Sequence, residues 1–188
     1  FKKNVKSTIV QIYSKNVKVL KQKTFSDMKQ LKRVIFPNVT EIGQRCFYSC
    51  SSLFDLRLPS LQKIGGLAFY NCHGLKSFNI DNVTSLQAKA FMFSAIQSIQ
   101  NKNLTILPKQ CFCGCYCLQF AIFPNVVSVH NTSFKACNIL ITKYSNEGMV
   151  DKNFQFKKFS LALNTIEFTY QIKAELEIDI ENKKNFII

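Results

Sequence analysis

The sequence predicts an α/β-type solenoid: a stack of about 22-residue units, each holding a short strand, a turn, and a short helix or second short strand. Three observations predict it. First, Phe25, Phe47, Phe69, Phe91, Phe112 and Phe134 follow one another at intervals of 22, 22, 22, 21 and 22 residues. Second, other apolar columns keep the same register. Third, 47% of the 188 residues are hydrophobic while Gly and Pro number only 6 and 4, so a buried core is expected rather than disorder. One such unit cannot bury its own apolar side, but stacked units share a continuous core with nearest-neighbour stability.

Each unit opens on a leucine column: Leu31, Leu53, Leu75, Ile96, Leu118 and Leu140. Three positions on stand Val34, Leu56, Phe78, Ile99 and Ala121. Two further on come Phe36, Leu58, Ile80 and Phe123, with Asn101 as the polar exception. This period-two ending suits a short strand. Pro37, Pro59 and Pro124 close it, since proline cannot continue a ladder; Asp81 and Lys102 replace proline in the other two units. A second apolar pair follows, Val39/Ile42, Leu61/Ile64, Val83/Leu86, Leu104/Leu107 and Val126/Val129, and the chain turns back. Each unit ends with the phenylalanine and, three residues later, Met28, Cys50, Cys72, Ser94, Cys115 or Cys137. One deletion after Ser94 accounts for the short interval. Val17 with Leu20, and Ile9 with Ile12, extend the pattern upstream. The solenoid is thus expected over residues 1–143, about six units with the first partial. Its period lies within the roughly 20–29 residues of leucine-rich repeats.

The segments FPNVTEIGQRCFYSCSSL and LPSLQKIGGLAFYNCHGL resemble the BspA-like leucine-rich repeats, a class found in surface antigens of anaerobic bacteria and parasitic protists. The resemblance covers about residues 16–141. Its Ile-Gly-x-x-Ala/Cys-Phe-x-x-Cys signature holds in the first two full units and departs in the third, at Gln87 and Ser94. The resemblance implies a surface or secreted protein that adheres to or recognises a partner, and it carries over no catalytic residue.

The run CFCGCYC, residues 111–117, invites a metal or redox reading. The register removes half of it. Cys111 sits in the small-residue column of Cys46, Ala68, Ala90 and Ser133, and Cys115 in the column of Cys50, Cys72 and Cys137. A free cysteine packs as a small hydrophobe. Cys113 and Cys117 are left over, too few for a four-ligand zinc site. The histidines, His73 and His130, fall in other units. Structural thiols and no metal or cofactor are expected, with a Cys113–Cys117 disulfide or surface redox role as the alternative.

Positions two and four past the leucine should face outward on the strands. They read Gln11 and Tyr13, Arg33 and Ile35, Asp55 and Arg57, Ser77 and Asn79, Ser98 and Gln100, Phe120 and Ile122. The row passes from charged, through serine with an amide, to apolar, while the buried columns stay constant. This predicts a partner-binding surface on a concave face, with Phe120 and Ile122 as an exposed anchor and Arg33 and Arg57 suited to an acidic or glycan partner. Asn38, Asn82, Asn103 and Asn131 each begin an N-linked acceptor pattern. Three of them share one column, so they count as one observation, and a turn preference for asparagine copied by the repeat is the favoured account of it.

The net charge of +14 is uneven. Residues 1–143 hold 19 Lys or Arg against four acids, a net +15, and the remainder is close to neutral. Such a balance could attract nucleic acid or an anionic surface, and a cytosolic scaffold is a further alternative. The leading expectation is a non-catalytic module binding a protein or glycan. No Gly-rich phosphate loop, nucleophile elbow or His-x-x-x-His pair occurs, so an enzyme is not expected. No run approaches the roughly 18 apolar residues of a membrane span. The chain begins at Phe1, without methionine or a signal-peptide stretch, and reads as a fragment or processed chain. From Ile166 to Ile180 every second residue is apolar or small. This alternation predicts one or two strands, so residues 144–188 should form a cap or the start of a further β segment.

Overall fold

The computed structural model describes residues 9–138 and the backbone of 141–144. The chain divides into two units, Phe1–Gln155 and Phe156–Ile188. The expected cap at 144–188, with its alternation over 166–180, lies outside the described residues. The first unit is a parallel β-solenoid whose coils begin at residues 31 (coil 1), 53 (coil 2), 75 (coil 3), 96 (coil 4) and 118 (coil 5). A partial coil precedes them.

The strands that follow the leucine column are β1 (Gln11–Tyr13), β3 (Arg33–Ile35), β5 (Asp55–Arg57), β8 (Ser98–Gln100), β10 (Phe120–Phe123) and β12 (Ile141–Tyr144). A second set comprises β2 (Val19–Leu20), β4 (Glu41–Ile42), β6 (Lys63–Ile64), β7 (Ser85–Leu86), β9 (Ile106–Leu107) and β11 (Ser128–Val129). Neighbouring coils pair in parallel and in repeat register, as in Gln11 to Arg33 to Asp55 and Leu20 to Ile42 to Ile64. The expectation left a short helix or a second strand open after the turn. Among the described residues the structure has the second strand and no helix.

What replaces the helix is a third inter-coil ladder. Arg45, Phe47 and Ser49 donate their backbone N–H groups to the carbonyls of Gly66, Ala68 and Tyr70 at 2.9, 2.9 and 2.8 Å. The pattern repeats one coil on, where Leu67, Phe69 and Asn71 bond Ala88, Ala90 and Met92. Reaching outward in this way requires left-handed residues on either side of the phenylalanine. Lys23/Asp27, Arg45/Ser49, Leu67/Asn71, Lys89/Phe93 and Gln110/Gly114 all have φ between 55° and 70°. Such a conformation costs a non-glycine residue roughly 1–2 kcal/mol, so the ladder and the buried ring between must hold it. At Gly114 a second reason applies: any Cβ there would run into the Phe93 ring.

The core is continuous along the stack. Phe47, Phe69, Phe91 and Phe112 are fully buried. Successive rings from Phe25 to Phe134 lie 5.3, 5.4, 5.1, 5.4 and 5.3 Å apart and nearly parallel. Gly43 and Gly65 mark the tightest approach of one coil to the next, since a Cβ on either would lie 2.7 Å from the preceding coil's backbone.

Coil 3 interrupts the leucine-side strands, although a strand was expected around Ser77 and Asn79. The leucine-side strands form two groups, β1-β3-β5 and β8-β10-β12. In the gap Phe78 fills an otherwise aliphatic position, tilted against Phe69 and Phe91. Where proline is missing, Asn79 Oδ1 accepts the Asp81 N–H at 2.8 Å and forms an Asx turn. The second set breaks between β7 and β9. Gly43, Gly65, Gln87 and His130 each donate to the preceding coil; Pro108 holds the same column and has no N–H to give.

Asn101, 2% exposed, is the polar exception in a buried column. Its amide nitrogen donates to the Ile80 and Val83 carbonyls, and its oxygen accepts the Asn103 and Leu104 N–H groups at 2.7 and 2.6 Å. A buried amide with both ends satisfied substitutes for the missing proline.

Two substitutions test this account. Phe91→Ala should destabilise the protein by about 3–5 kcal/mol, read as a lowered urea midpoint. Asn101→Ala should cost about 1–3 kcal/mol by orphaning buried backbone groups; an unchanged midpoint would contradict the role given to its amide.

Candidate functional site: the outward face of the leucine-side strands

Strand alternation turns the middle residue of each strand inward and its neighbours outward. In β3 and β5, Val34 and Leu56 are buried while Arg33 and Arg57 are exposed. Across the face Gln11, Arg33 and Asp55 lie side by side, as do Tyr13, Ile35 and Arg57. At the other end Ser98 lies beside Phe120, which lies beside Ile141, and Gln100 beside Ile122 beside Lys143. Ser77 and Asn79 are exposed on coil 3, between the two sheets and in neither. The twelve predicted residues therefore fall in two patches, six on the three strands β1, β3 and β5 and four on the two strands β8 and β10, with Ser77 and Asn79 on the irregular coil between them.

The degree of exposure differs from the expectation in places. Tyr13 stands out at 66%. Phe120 and Ile122, expected as an exposed anchor pair, are half-buried, as are Ile35 and Asp55. Other exposed apolar side chains, Phe54, Ile106, Tyr116 and Val127, lie off this face.

The charged end is organised around Asp55. Arg33 Nε donates to Asp55 Oδ2 at 2.7 Å; Arg57 donates through Nε to Oδ1 at 3.0 Å and through Nη2 to Oδ2 at 3.3 Å. Partial burial of Asp55 works against its ionisation, but hydrogen bonds and attraction from the two guanidiniums outweigh it and hold the carboxyl below its ordinary value.

The thiols of the CFCGCYC run part company. Cys111, Cys113 and Cys115 are buried and Cys117 is exposed, and all are free. No helix brings Cys113 and Cys117 to one side, so the alternative disulfide between them is absent. The ladder cysteines have a definite partner: Cys50, Cys72, Cys115 and Cys137 donate S–H to the carbonyls of Phe25, Phe47, Phe91 and Phe112 at 2.9–3.1 Å. Burial pushes the Cys46 thiol up to about 12 and also raises Cys111 and Cys72 well above their ordinary 9.0. Cys137 is raised by its hydrogen bond with Cys115 and by burial. Among the described residues no group of three or more His, Cys, Asp or Glu is placed to hold a metal ion.

The asparagines after the proline column also have structural partners. Asn38, Asn82 and Asn103 donate their side-chain amides to the carbonyls of Lys15, Pro59 and Asp81 in the preceding coil. Asn125, which has no acceptor pattern after it, bonds Lys102 in the same way at 2.7 Å. That fourth member was the signal available in the sequence: asparagine recurs in the column even where Ser or Thr does not follow. Asn131 is exposed and outside this column.

This architecture agrees with the comparisons. The chain matches the BspA type leucine rich repeat region in six copies, over residues 1–119 and 87–174, and it belongs to that family. Two solved structures share the fold. A leucine rich cell surface protein from Faecalibacterium prausnitzii A2-165 is 22% identical, with a TM-score of 0.59 over 74% of this chain and 47% of that one. A leucine-rich repeat protein from Bacteroides ovatus ATCC 8483 is 20% identical, with a TM-score of 0.56 over 71% and 45%. The chain thus spans about half the length of either. No curated protein matches it. No helix of the described residues is long and apolar enough to cross a membrane.

The thiols yield a prediction. Treated with iodoacetamide while folded, the protein should be modified first at Cys117, with the buried thiols reacting only after unfolding, as read by mass spectrometry. The pH dependence follows from the same burial. A thiol raised in the folded state keeps its proton where the unfolded chain would release it. It therefore favours the fold below pH 9, and that contribution drains away between about 9 and 12. Urea midpoints should fall across this window.

Proposed function

We propose that the outward face of the leucine-side strands is a recognition surface that binds a protein or glycan ligand at the cell surface and performs no chemistry on it. The observation that carries this reading is the contrast between the two sides of the same strands. Inward, the columns repeat with little change from coil to coil. Outward, the residues change from an Arg–Asp–Arg group, through serine and amides, to half-buried Phe120 and Ile122. Parallel strands with a graded surface can engage an extended ligand along the row. The cell-surface placement draws on the Faecalibacterium structure, which is described as a leucine rich cell surface protein. Adhesion is the corresponding role.

Phe120 and Ile122 are the apolar contact in this reading, because a partly covered aromatic can bury its remaining area on a partner at little entropic cost. Asn38, Asn82, Asn103 and Asn131 would be modified if the chain passes through a glycosylating secretory pathway. The first three leave the sheet face free, since they lie beyond the proline column.

The test is a screen of the purified chain against immobilised glycans and purified extracellular proteins, followed by a Phe120→Ser/Ile122→Ser variant. Binding should fall at least tenfold in the variant while its circular dichroism is unchanged. A variant that is folded and binds as the wild type would remove this end of the face from the proposal.

A further inference from the structure

The charged end of the face carries more specificity than an ordinary surface ion pair. One carboxylate, Asp55, is shared by two arginines from adjacent strands. Exposed ion pairs usually contribute 0–1 kcal/mol to stability, and one acid cannot neutralise two cations, so the group keeps one positive charge. The geometry of the bonds decides where that charge is available. Arg33 spends only Nε on Asp55, and Arg57 spends Nε and Nη2. Both Nη atoms of Arg33 and Nη1 of Arg57 have no partner among the described residues. Their side chains are 47% and 65% exposed, whereas Asp55 is 18% exposed. The acid is tucked in and the unspent donors face water. Asp55 is also the sole acid of the twelve-residue row, and Lys32 and Lys76 stand exposed at its margin.

The neighbours narrow the ligand. Along the row from the arginines lie Ser77, Asn79, Ser98 and Gln100, all exposed hydroxyl or amide side chains, and on the other side stands the open ring of Tyr13. Protein interfaces are depleted in serine and build their cores on apolar pockets. This stretch offers exposed donors and acceptors suited to many hydroxyl groups.

Resting on the recognition-face reading, we propose that Arg33 and Arg57, aimed by Asp55, form a clamp for the anionic group of an acidic polysaccharide, a carboxylate or a sulfate. Ser77, Ser98 and Gln100 take the hydroxyls of the neighbouring sugar units, while the amide of Asn79 is already bonded at both ends to Asp81. Guanidinium forks match both anions in a bidentate way that an ammonium does not.

The experiment titrates the full chain with polygalacturonate, a sulfated galactan, a neutral glucan and poly-glutamate at physiological salt. At least one anionic polysaccharide should bind and the glucan should not; which of the two binds tells carboxylate from sulfate. Arg33→Lys/Arg57→Lys keeps the charge and should weaken binding at least tenfold. Asp55→Asn adds one positive charge yet should also weaken binding, because the forks are no longer aimed. Lys23→Gln/Lys109→Gln, off the strand face, should change affinity less than twofold, and thermal midpoints report that each variant is folded. Retained affinity in the lysine variant, or tighter binding by Asp55→Asn, would mean diffuse attraction and overturn the clamp. Equal binding of poly-glutamate would replace the polysaccharide with an acidic protein and overturn it too. Loss confined to the Lys23/Lys109 variant would overturn the face as well as the clamp. Should no anionic polysaccharide bind while Phe120/Ile122-dependent capture persists, the clamp alone falls.

Discussion

The stacked phenylalanine column is the constraint on which the rest of this molecule depends. Ring centroids 5.1–5.4 Å apart mean that each coil advances by one ring thickness plus the offset that aromatic pairs prefer. That advance matches the roughly 4.7–4.9 Å spacing of hydrogen-bonded strands closely enough for both ladders to run on it. It also explains why non-glycine residues such as Leu67 and Phe93 accept a left-handed backbone. They flank a ring that must point straight into the stack, and the ladder bonds on both sides exist only in that conformation. The cysteines belong to the same device. A thiol is small enough for the slot beside the ring, and its S–H meets the phenylalanine carbonyl of the coil before.

Continuity of this column lets the outer parts of the coils vary. The leucine-side strands are broken at coil 3, by Phe78 with its Asx turn, and the second set between coils 3 and 4, by Pro108. Neither break interrupts the ring stack or the turn ladder, which pass through Phe69, Phe91 and Phe112, with Phe78 packed against the first two rings. Where proline is lost, a side-chain amide takes over its role of closing the strand, exposed at Asn79 and buried at Asn101. The repeat is therefore conserved in its physics more than in its letters.

Freedom on the outside is what a binding module requires. The strand face keeps its spacing from the core, while its chemistry is set coil by coil. One end presents guanidiniums organised by a shared acid, the middle presents hydroxyls and amides, and the far end presents half-buried apolar groups. The eight cysteines, conspicuous in the sequence, contribute to the inside instead. Burial keeps most of their thiols protonated and out of reach, so their number says more about packing than about redox chemistry.

The sequence alone determined the stacking register. A 22-residue recurrence across several apolar columns has one physical solution, coils sharing a core, so Leu31, Phe47 and Cys72 could be placed inside and Arg33 and Arg57 outside from spacing. Tertiary structure decided what spacing does not encode. Whether the turn becomes helix or strand depends on bonds to the next coil, which are formed between residues some 20 apart and leave no local periodicity. How far Phe120 and Ile122 emerge is set by packing that spacing does not reveal, and whether Cys113 and Cys117 meet depends on that same turn. The sharing of Asp55 by two arginines needed the parallel pairing of β3 with β5, because charge order along one strand cannot reveal a neighbour across the sheet.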